Sequence, residues 1–188
     1  MLTKAQLSIA ALALCLGANP GLPASANQIA IQKAYKDWKT SQLRAGNYVA
    51  DSQCNLQRVR QLMQSGRRIG SGFGTAGFSY GDINKDGKED ALVTFNPKQC
   101  DGGNALMNAQ TTVLILSANN GSRYMVDDKK LENLKGLPDG MWAKFERVTR
   151  SGNITGTAFG YRNSDPRCCP SLKADFTYTY PSSRINLN

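Results

Sequence analysis

The N-terminal part of the chain contains two stretches in which apolar residues recur at helical spacing. The first covers residues 29–43 and the second covers residues 52–63, after which Gly66 is a typical stop signal. The apolar positions of the first stretch are Ile31, Tyr35, Trp38 and Leu43, and those of the second are Leu56, Val59, Leu62 and Met63. The spacing predicts two amphipathic helices.

From about residue 70 onward the pattern becomes typical of strands. Residues 72–82 and 90–95 flank an acidic loop, and turn signals at 119–121 and 151–153 predict two hairpins. Residues 173–181 alternate again, and residues 182–188 are a candidate for a last short strand. These elements predict a single α+β domain over residues 27–188, with two N-terminal helices packed on a mostly antiparallel sheet of about six or seven strands.

Residues 1–26 have the features of a secretory signal peptide. Lys4 supplies an early positive charge, an apolar run covers residues 7–16, and Ala24-Ser25-Ala26 is a pattern that signal peptidase accepts. The run is shorter than the roughly 20 residues that a membrane-spanning helix needs. We therefore expect cleavage after residue 26 and no transmembrane span.

A signal peptide implies a periplasmic or secreted protein. The alternative is a lipid anchor on Cys15, although Leu14 is bulkier than the small residues that lipoprotein processing prefers before the cysteine. Under either route four cysteines remain, and an even number in an exported chain predicts two disulfides. They are Cys54, Cys100, Cys168 and Cys169. Because a bond between two adjacent cysteines is strained and uncommon, we expect Cys168 and Cys169 to pair separately with Cys54 and Cys100.

The acidic loop, residues 82–90, has the composition of a site for a hard cation. Oxygen-bearing side chains stand at relative positions 1, 3, 5 and 9, with glycine at position 6 where a sharp turn is needed. Position 7 offers its backbone carbonyl. The candidate ligands are Asp82, Asn84, Asp86, Lys88 and Asp90. Because they are all oxygen ligands in a chain expected to be exported, the spacing predicts calcium (Ca2+) rather than magnesium, in a structural role.

The loop has two other interpretations. An EF-hand requires a bidentate glutamate at position 12, and Val93 stands there instead. A plain polar turn without an ion remains the alternative, because Asn-Lys-Asp-Gly is good turn chemistry by itself.

The stretch FGTAGFSYGDINKDGKEDALVTF, residues 73–95, resembles the calcium loop of FG-GAP and related integrin-type (VCBS-like) repeats. In those repeats the pattern Asp-x-Asn-x-Asp-Gly-x-x-Asp joins two strands, so the resemblance implies metal-ligand roles for the five residues named above. A propeller needs several repeats and this chain has one. The propeller fold and its adhesive function are therefore not implied.

A second resemblance covers more of the chain. The single acidic strand-loop-strand, the cysteine that follows it and the late DPRCCPS (residues 165–171) are similar to small exported bacterial proteins and lipoproteins of unknown function. This resemblance implies an envelope location and a crosslink from Cys100 to Cys168 or Cys169. It implies no activity.

Several kinds of catalytic chemistry are excluded or disfavoured. The sequence has no histidine, which excludes Ser-His-Asp and Cys-His catalytic units and histidine-ligated zinc. With the cysteines paired, no free thiolate nucleophile is expected. The carboxylates outside the loop are scattered, among them Glu132, Asp139, Glu146 and Asp175. We therefore expect a non-enzymatic binding or structural module of the cell envelope.

The basic character of the chain suggests an alternative function. The net charge is +9, and eight lysines and arginines lie between residues 27 and 68 against Asp37 and Asp51. A solvated helix surface is the simpler interpretation. The alternative is binding to an anionic envelope polymer through this segment, with nucleic acid less favoured.

Overall fold

The computed structural model describes residues 25–50, 54, 71–98, 100, 110–119, 121–166 and 168–188. Within these ranges no helix has the length and apolar character that crossing a membrane requires. The described chain contains one helix, α1 (Ala26–Arg44), and ten strands: β1 (Tyr48–Val49), β2 (Ser71–Gly72), β3 (Ala76–Gly81), β4 (Asp90–Phe95), β5 (Thr111–Ala118), β6 (Arg123–Asp127), β7 (Trp142–Val148), β8 (Ile154–Gly160), β9 (Leu172–Tyr178) and β10 (Ile185–Leu187).

Helix α1 begins with a capping box. The hydroxyl of Ser25 accepts a hydrogen bond from the backbone N–H of Gln28 at 3.2 Å, and the Gln28 side chain accepts one from the Ser25 N–H at 3.4 Å. Ile31 and Tyr35 are the buried residues of the helix. The predicted first helix is thus confirmed. Cleavage after residue 26 would remove Ser25 and with it this cap.

The strands form two four-stranded antiparallel sheets and one small parallel pair. Sheet 1 has the order β3-β4-β5-β6, sheet 2 has the order β10-β9-β8-β7, and β1 pairs with β2. The predicted hairpins are confirmed, because β5 pairs with β6 around residues 119–121 and β7 pairs with β8 around residues 149–153.

Two apolar cores hold the layers together. The first lies between the sheets and includes Leu92 and Leu114 of sheet 1 with Phe145 and Phe176 of sheet 2. The second lies between sheet 1 and α1, where Tyr35 packs against Phe95. Sheet 1 is therefore covered on both faces, which is why β4 is buried at five of its six positions. The order of layers is α1, sheet 1, sheet 2.

The predicted fold class was wrong. The described chain is mostly β, with three sheets instead of one, and only one helix lies within the described residues. The second helical candidate, residues 52–63, lies outside the described residues except for Cys54. Alternation of apolar and polar residues identifies a strand and its buried face, but it does not indicate which sheet a hairpin joins. The pattern therefore predicts one sheet for all these strands, whereas the hairpin of β7 and β8 belongs to a different sheet from β3–β6.

The expected disulfide pairing was also wrong. The structure pairs Cys54 with Cys100, with 4.6 Å between their Cα atoms, and pairs Cys168 with its neighbour Cys169. Cys100 follows Lys98, which bridges to Gly72 at the small sheet. The two adjacent cysteines follow β8 in sheet 2. The crosslink from Cys100 to Cys168 or Cys169 is therefore absent.

Candidate metal-binding loop

The acidic loop connects β3 to β4 at the end of sheet 1. The last cross-strand pair before the loop is Gly81 with Asp90. The backbone turns through two left-handed residues, Lys85 with φ 65° and Gly87 with φ 79°. Glycine adopts this conformation without strain, so Gly87 has the role that the sequence predicted for position 6.

The side chains at positions 1, 3 and 5 close the loop by accepting hydrogen bonds from its own backbone. The two carboxylate oxygens of Asp82 accept from the N–H groups of Asp86 and Gly87, each at 3.0 Å. The side-chain oxygen of Asn84 accepts from Asp86 N–H at 3.1 Å, and Asp86 accepts from Lys88 N–H at 2.9 Å. Each of these oxygens has a further lone pair. The loop therefore brings Asp82, Asn84 and Asp86 together as predicted.

Asp86 also contacts strand β5. The hydroxyl of Ser117 donates to one carboxylate oxygen of Asp86, and the Asn84 amide donates to the same oxygen at 3.3 Å. Burial opposes ionisation of Asp86, but the bonds from Ser117, Lys88 N–H and Asn84, together with the Lys88 charge, lower its pKa below the usual aspartate value. The carboxylate at the opening of the loop is thus held in its charged form.

Asp90 has a different environment from the other acidic residues. It is 0% exposed. One carboxylate oxygen accepts from the N–H groups of Ile83 and Asn84 at 2.8 and 3.0 Å, and the other accepts from Ser117 N–H at 2.7 Å. Burial raises the pKa of Asp90 despite these three bonds, and the nearby charge of Asp86 adds to the increase. Asp90 therefore fixes the loop to β5 from inside, and the ligand role predicted for it stays a prediction.

The acidic loop contacts α1 as well. The carboxylate of Glu89 accepts hydrogen bonds from the Ser25 hydroxyl at 3.1 Å and from the Gln28 side chain at 3.2 Å. A carboxylate at a helix N-terminus also interacts favourably with the helix dipole. The start of α1 is therefore attached to the loop.

A third contact joins the loop to sheet 2. The ammonium of Lys85 donates to the carbonyl oxygen of Ser151, in the turn between β7 and β8. The next residue, Gly152, lies so close to the carbonyl of Asp82 that there is no room for a β-carbon. The acidic loop thus touches α1, β5 and the β7–β8 turn, which belong to all three layers of the protein.

Tyr124 lies beside the loop and was not singled out from the sequence. It is the cross-strand partner of Ser117. Its hydroxyl is buried and has no hydrogen-bond partner among the described residues. Burial raises its pKa, and the charges of Asp90, Glu89 and Asp86 raise it further. The phenol next to the loop therefore stays neutral.

The donor set fits a hard cation in chemistry, although the described chain contains no cluster of three His, Cys, Asp or Glu side chains arranged to bind a metal. Asp82 and Asp86 supply carboxylates, Asn84 an amide oxygen and Lys88 a backbone carbonyl, and calcium accepts all of these together with water. Asp86 and Lys88 are exposed, so an ion could reach them from solvent.

The basic segment is only partly described. Lys33 forms an ion pair with Asp37 at 2.6 Å, and the Lys39 ammonium lies 4.7 Å from the centre of the Phe73 ring. Arg44 is the last residue of α1, and the other four arginines of this segment lie outside the described residues: Arg58, Arg60, Arg67 and Arg68. Trp38, expected in the core, packs against Phe73 and donates to Asp128 at 2.9 Å. The described lysines of α1 thus give no separate support for polymer binding, and that function stays a prediction.

Comparison with known proteins gives no match to a family model, to a curated protein or to a solved structure. The resemblance of the acidic loop to FG-GAP repeats therefore stays a prediction carried by residues 73–95.

Proposed function

We propose that this protein is an exported, non-enzymatic module of the bacterial cell envelope whose acidic loop binds one calcium ion. The ion takes side-chain oxygens from Asp82, Asn84 and Asp86 and the backbone carbonyl of Lys88. Asp90 holds the loop in shape from within the protein. The role of the ion is structural, because the loop contacts all three layers of the protein.

The observation that carries this proposal is the position of Asp86. Its carboxylate lies at the exposed end of the loop, yet it accepts the hydroxyl of Ser117 in the neighbouring strand. An ion bound to Asp82 and Asp86 would neutralise two adjacent carboxylates and hold this contact in place. The loop would then tie β3, β4 and β5 together more firmly than its hydrogen bonds alone.

The proposed location rests on the N-terminal residues and the cysteines. Paired cysteines persist in oxidising compartments such as the periplasm and the extracellular space. The signal-peptide features of residues 1–26 point to the same compartments. Extracellular modules bind calcium with a Kd of about 10⁻⁴ to 10⁻³ M. We expect a Kd in this range for a loop that supplies two carboxylates, those of Asp82 and Asp86, near its surface.

Titration calorimetry of the purified protein with calcium tests the proposal. We expect one site, with weaker binding of magnesium because that ion demands a tighter octahedral arrangement. Asp82→Asn and Asp86→Asn should each weaken calcium binding about tenfold or more, whereas Asp139→Asn, at an exposed acid outside the loop, should bind as the wild type does. Equal binding by all four proteins, or no binding by the wild type, would contradict the proposal.

A further inference from the structure

The outer face of sheet 2, opposite to the core, is uncovered in the described part of the chain. Residues of β7, β8 and β9 alternate between the two faces, and the inward ones join the core between the sheets. Sheet 1 is covered by α1 and by sheet 2, whereas no described helix or strand packs on the outer face of sheet 2. The outward residues of the three strands are Trp142, Lys144, Arg147, Thr155, Thr157, Phe159, Lys173, Asp175 and Thr177.

One end of this face is an aromatic cluster. Trp142 and Phe159 are direct cross-strand partners, with ring centres 6.2 Å apart and planes 26° apart. Tyr161, which follows β8, lies 5.4 Å from Trp142 and is 41% exposed. The Nε1–H group of Trp142 has no acceptor among the described residues. Tyr161 is exposed and Trp142 and Phe159 are half-buried, so the cluster presents aromatic surface to solvent.

Two lysines border the aromatic cluster. The ammonium groups of Lys144 and Lys173 lie 5.6 and 5.7 Å from the centre of the Phe159 ring, from the strands on either side of it. Their positions allow them to donate hydrogen bonds to a ligand that rests on the rings.

Next to the lysines the face carries two exposed carboxylates. The hydroxyl of Thr157 lies 3.0 Å from the carboxylate of Glu146 and 3.4 Å from that of Asp175. Glu146 reaches this face because β7 has a bulge between Phe145 and Arg147, which adds one residue to the strand. The bulge therefore places Glu146 and its neighbour Arg147 on the same surface as Lys144, Lys173 and Asp175.

We propose that the outer face of sheet 2 binds a neutral glycan chain. A sugar ring has an apolar face of C–H groups that stacks on aromatic rings, and an edge of hydroxyls that donate to carboxylates and accept from ammonium groups. Trp142, Phe159 and Tyr161 supply the first kind of contact. Glu146, Asp175 and the two lysines supply the second.

The mixed charge of the face favours this ligand over a polyanion. Lys144, Arg147 and Lys173 share the face with the carboxylates of Glu146 and Asp175, so it is not a continuous basic surface. Single-stranded nucleic acid needs aromatic platforms in a basic groove, and here two carboxylates adjoin the rings. The inference does not depend on calcium in the acidic loop, because the residues that carry it belong to a different sheet.

The proposal is tested by measuring how strongly the purified protein is retained on four neutral polysaccharides: cellulose, chitin, starch and a β-1,3-glucan. Retention on immobilised poly(dT) is measured alongside. We expect binding to at least one polysaccharide, little affected by salt, and weakened about tenfold by Tyr161→Ala or Trp142→Ala. Tyr161→Ala alters a residue outside the strands, so it tests the face even if Trp142→Ala fails to fold. Met125→Ala, which removes a half-exposed side chain of β6, should bind normally, as should Asp86→Asn.

Three results would overturn the inference. They are retention on none of the four polysaccharides, retention that both aromatic variants leave unchanged, and salt-sensitive retention on poly(dT) alone, which would assign the face to nucleic acid.

Discussion

Gly152, in the turn between β7 and β8, packs directly against the carbonyl group of Asp82, the first residue of the acidic loop. A β-carbon at position 152 would overlap the carbonyl oxygen of Asp82 and the ammonium of Lys85. Gly152 also has a left-handed backbone, with φ 72°. The contact brings sheet 2 against the loop at the end of sheet 1. Disrupting this contact should therefore lower the free energy of unfolding of the whole protein.

We expect Gly152→Ala to lower the free energy of unfolding by about 3–5 kcal/mol, because it adds a steric overlap to the strain of a left-handed alanine. Gly140 is a matched control. Its φ is 77° and a β-carbon there would meet nothing within 4 Å. Gly140→Ala should therefore cost only about 1 kcal/mol for backbone strain. Urea unfolding of the two variants measures the difference, and equal losses would show that the turn does not pack on the loop.

Removal of the buried carboxylate of Asp90 should destabilise the protein whether or not calcium is present. Asp90→Ala leaves the N–H groups of Ile83, Asn84 and Ser117 without their acceptor, and unsatisfied buried groups cost about 1–3 kcal/mol each. We expect a loss of about 3–5 kcal/mol in chelator. Asp82→Ala in chelator should cost less, because its hydrogen bonds lie at the exposed side of the loop. A mild effect of Asp90→Ala in urea unfolding would contradict the role assigned to this residue.

The two carboxyls of Asp86 and Asp90 should titrate on opposite sides of the usual aspartate pKa of 3.8. Carboxyl ¹³C shifts measured in chelator from pH 2 to 8 would show the pKa of Asp86 below that value and the pKa of Asp90 above it. In Asp86→Asn the pKa of Asp90 should fall, because one of the charges that raises it is gone. The opposite order, with the pKa of Asp86 above that of Asp90, would contradict the hydrogen bonds described for these two carboxyls.

These pKa shifts also predict how stability depends on pH. The lowered pKa of Asp86 stabilises the folded state above pH 3.8, and this contribution is lost as the pH falls through the folded-state pKa. The raised pKa of Asp90 has the opposite sign, and its contribution weakens the folded state as the pH rises from 3.8 through the folded-state pKa. The difference in unfolding free energy between wild type and Asp86→Asn should therefore shrink below pH 3.8, measured by urea unfolding in chelator.

The two disulfides should contribute very differently to stability. The bond between Cys54 and Cys100 spans a sequence separation of 46, and a loop of that size restricts the unfolded chain by about 4 kcal/mol. The bond between Cys168 and Cys169 spans a separation of 1 and restricts it hardly at all. The double variant Cys54→Ser/Cys100→Ser should lose most of that stabilisation, and Cys168→Ser/Cys169→Ser almost none. Large losses of stability in both double variants would contradict this account. Together with mass-spectrometric mapping of the crosslinked peptides, they would support the pairing expected from the sequence.

The sequence was informative where the signal is local. The apolar spacing of α1, the turn residues of both hairpins and the ligand spacing of the acidic loop all lie within a few positions of one another. The division into two sheets was not predictable, because a strand that alternates between apolar and polar residues has no mark of its neighbouring strand.

The supporting residues of the loop were missed for a related reason. Glu89 bonds Ser25 across 64 residues of sequence, and Ser117 bonds Asp86 across 31. Neither serine differs in type from the other serines of the chain, and nothing near them in the sequence indicates the contact. Only the packing of β5 and α1 beside the loop identifies them. The strain of a bond between adjacent cysteines predicts separate partners for Cys168 and Cys169, but no local pattern in the sequence shows that Cys54 and Cys100 lie with their Cα atoms 4.6 Å apart.

The most direct test of the account is the melting temperature of the protein in excess chelator and in 10 mM calcium, for wild type and Asp86→Asn. With calcium at about a hundred times Kd, binding to the folded state alone adds about 2.7 kcal/mol of stability, which corresponds to a rise of about 5–10 °C for a chain of this size. We expect that rise in the wild type and its loss in Asp86→Asn. The same melting temperature in both solutions would show that the acidic loop is a polar turn held only by its own hydrogen bonds.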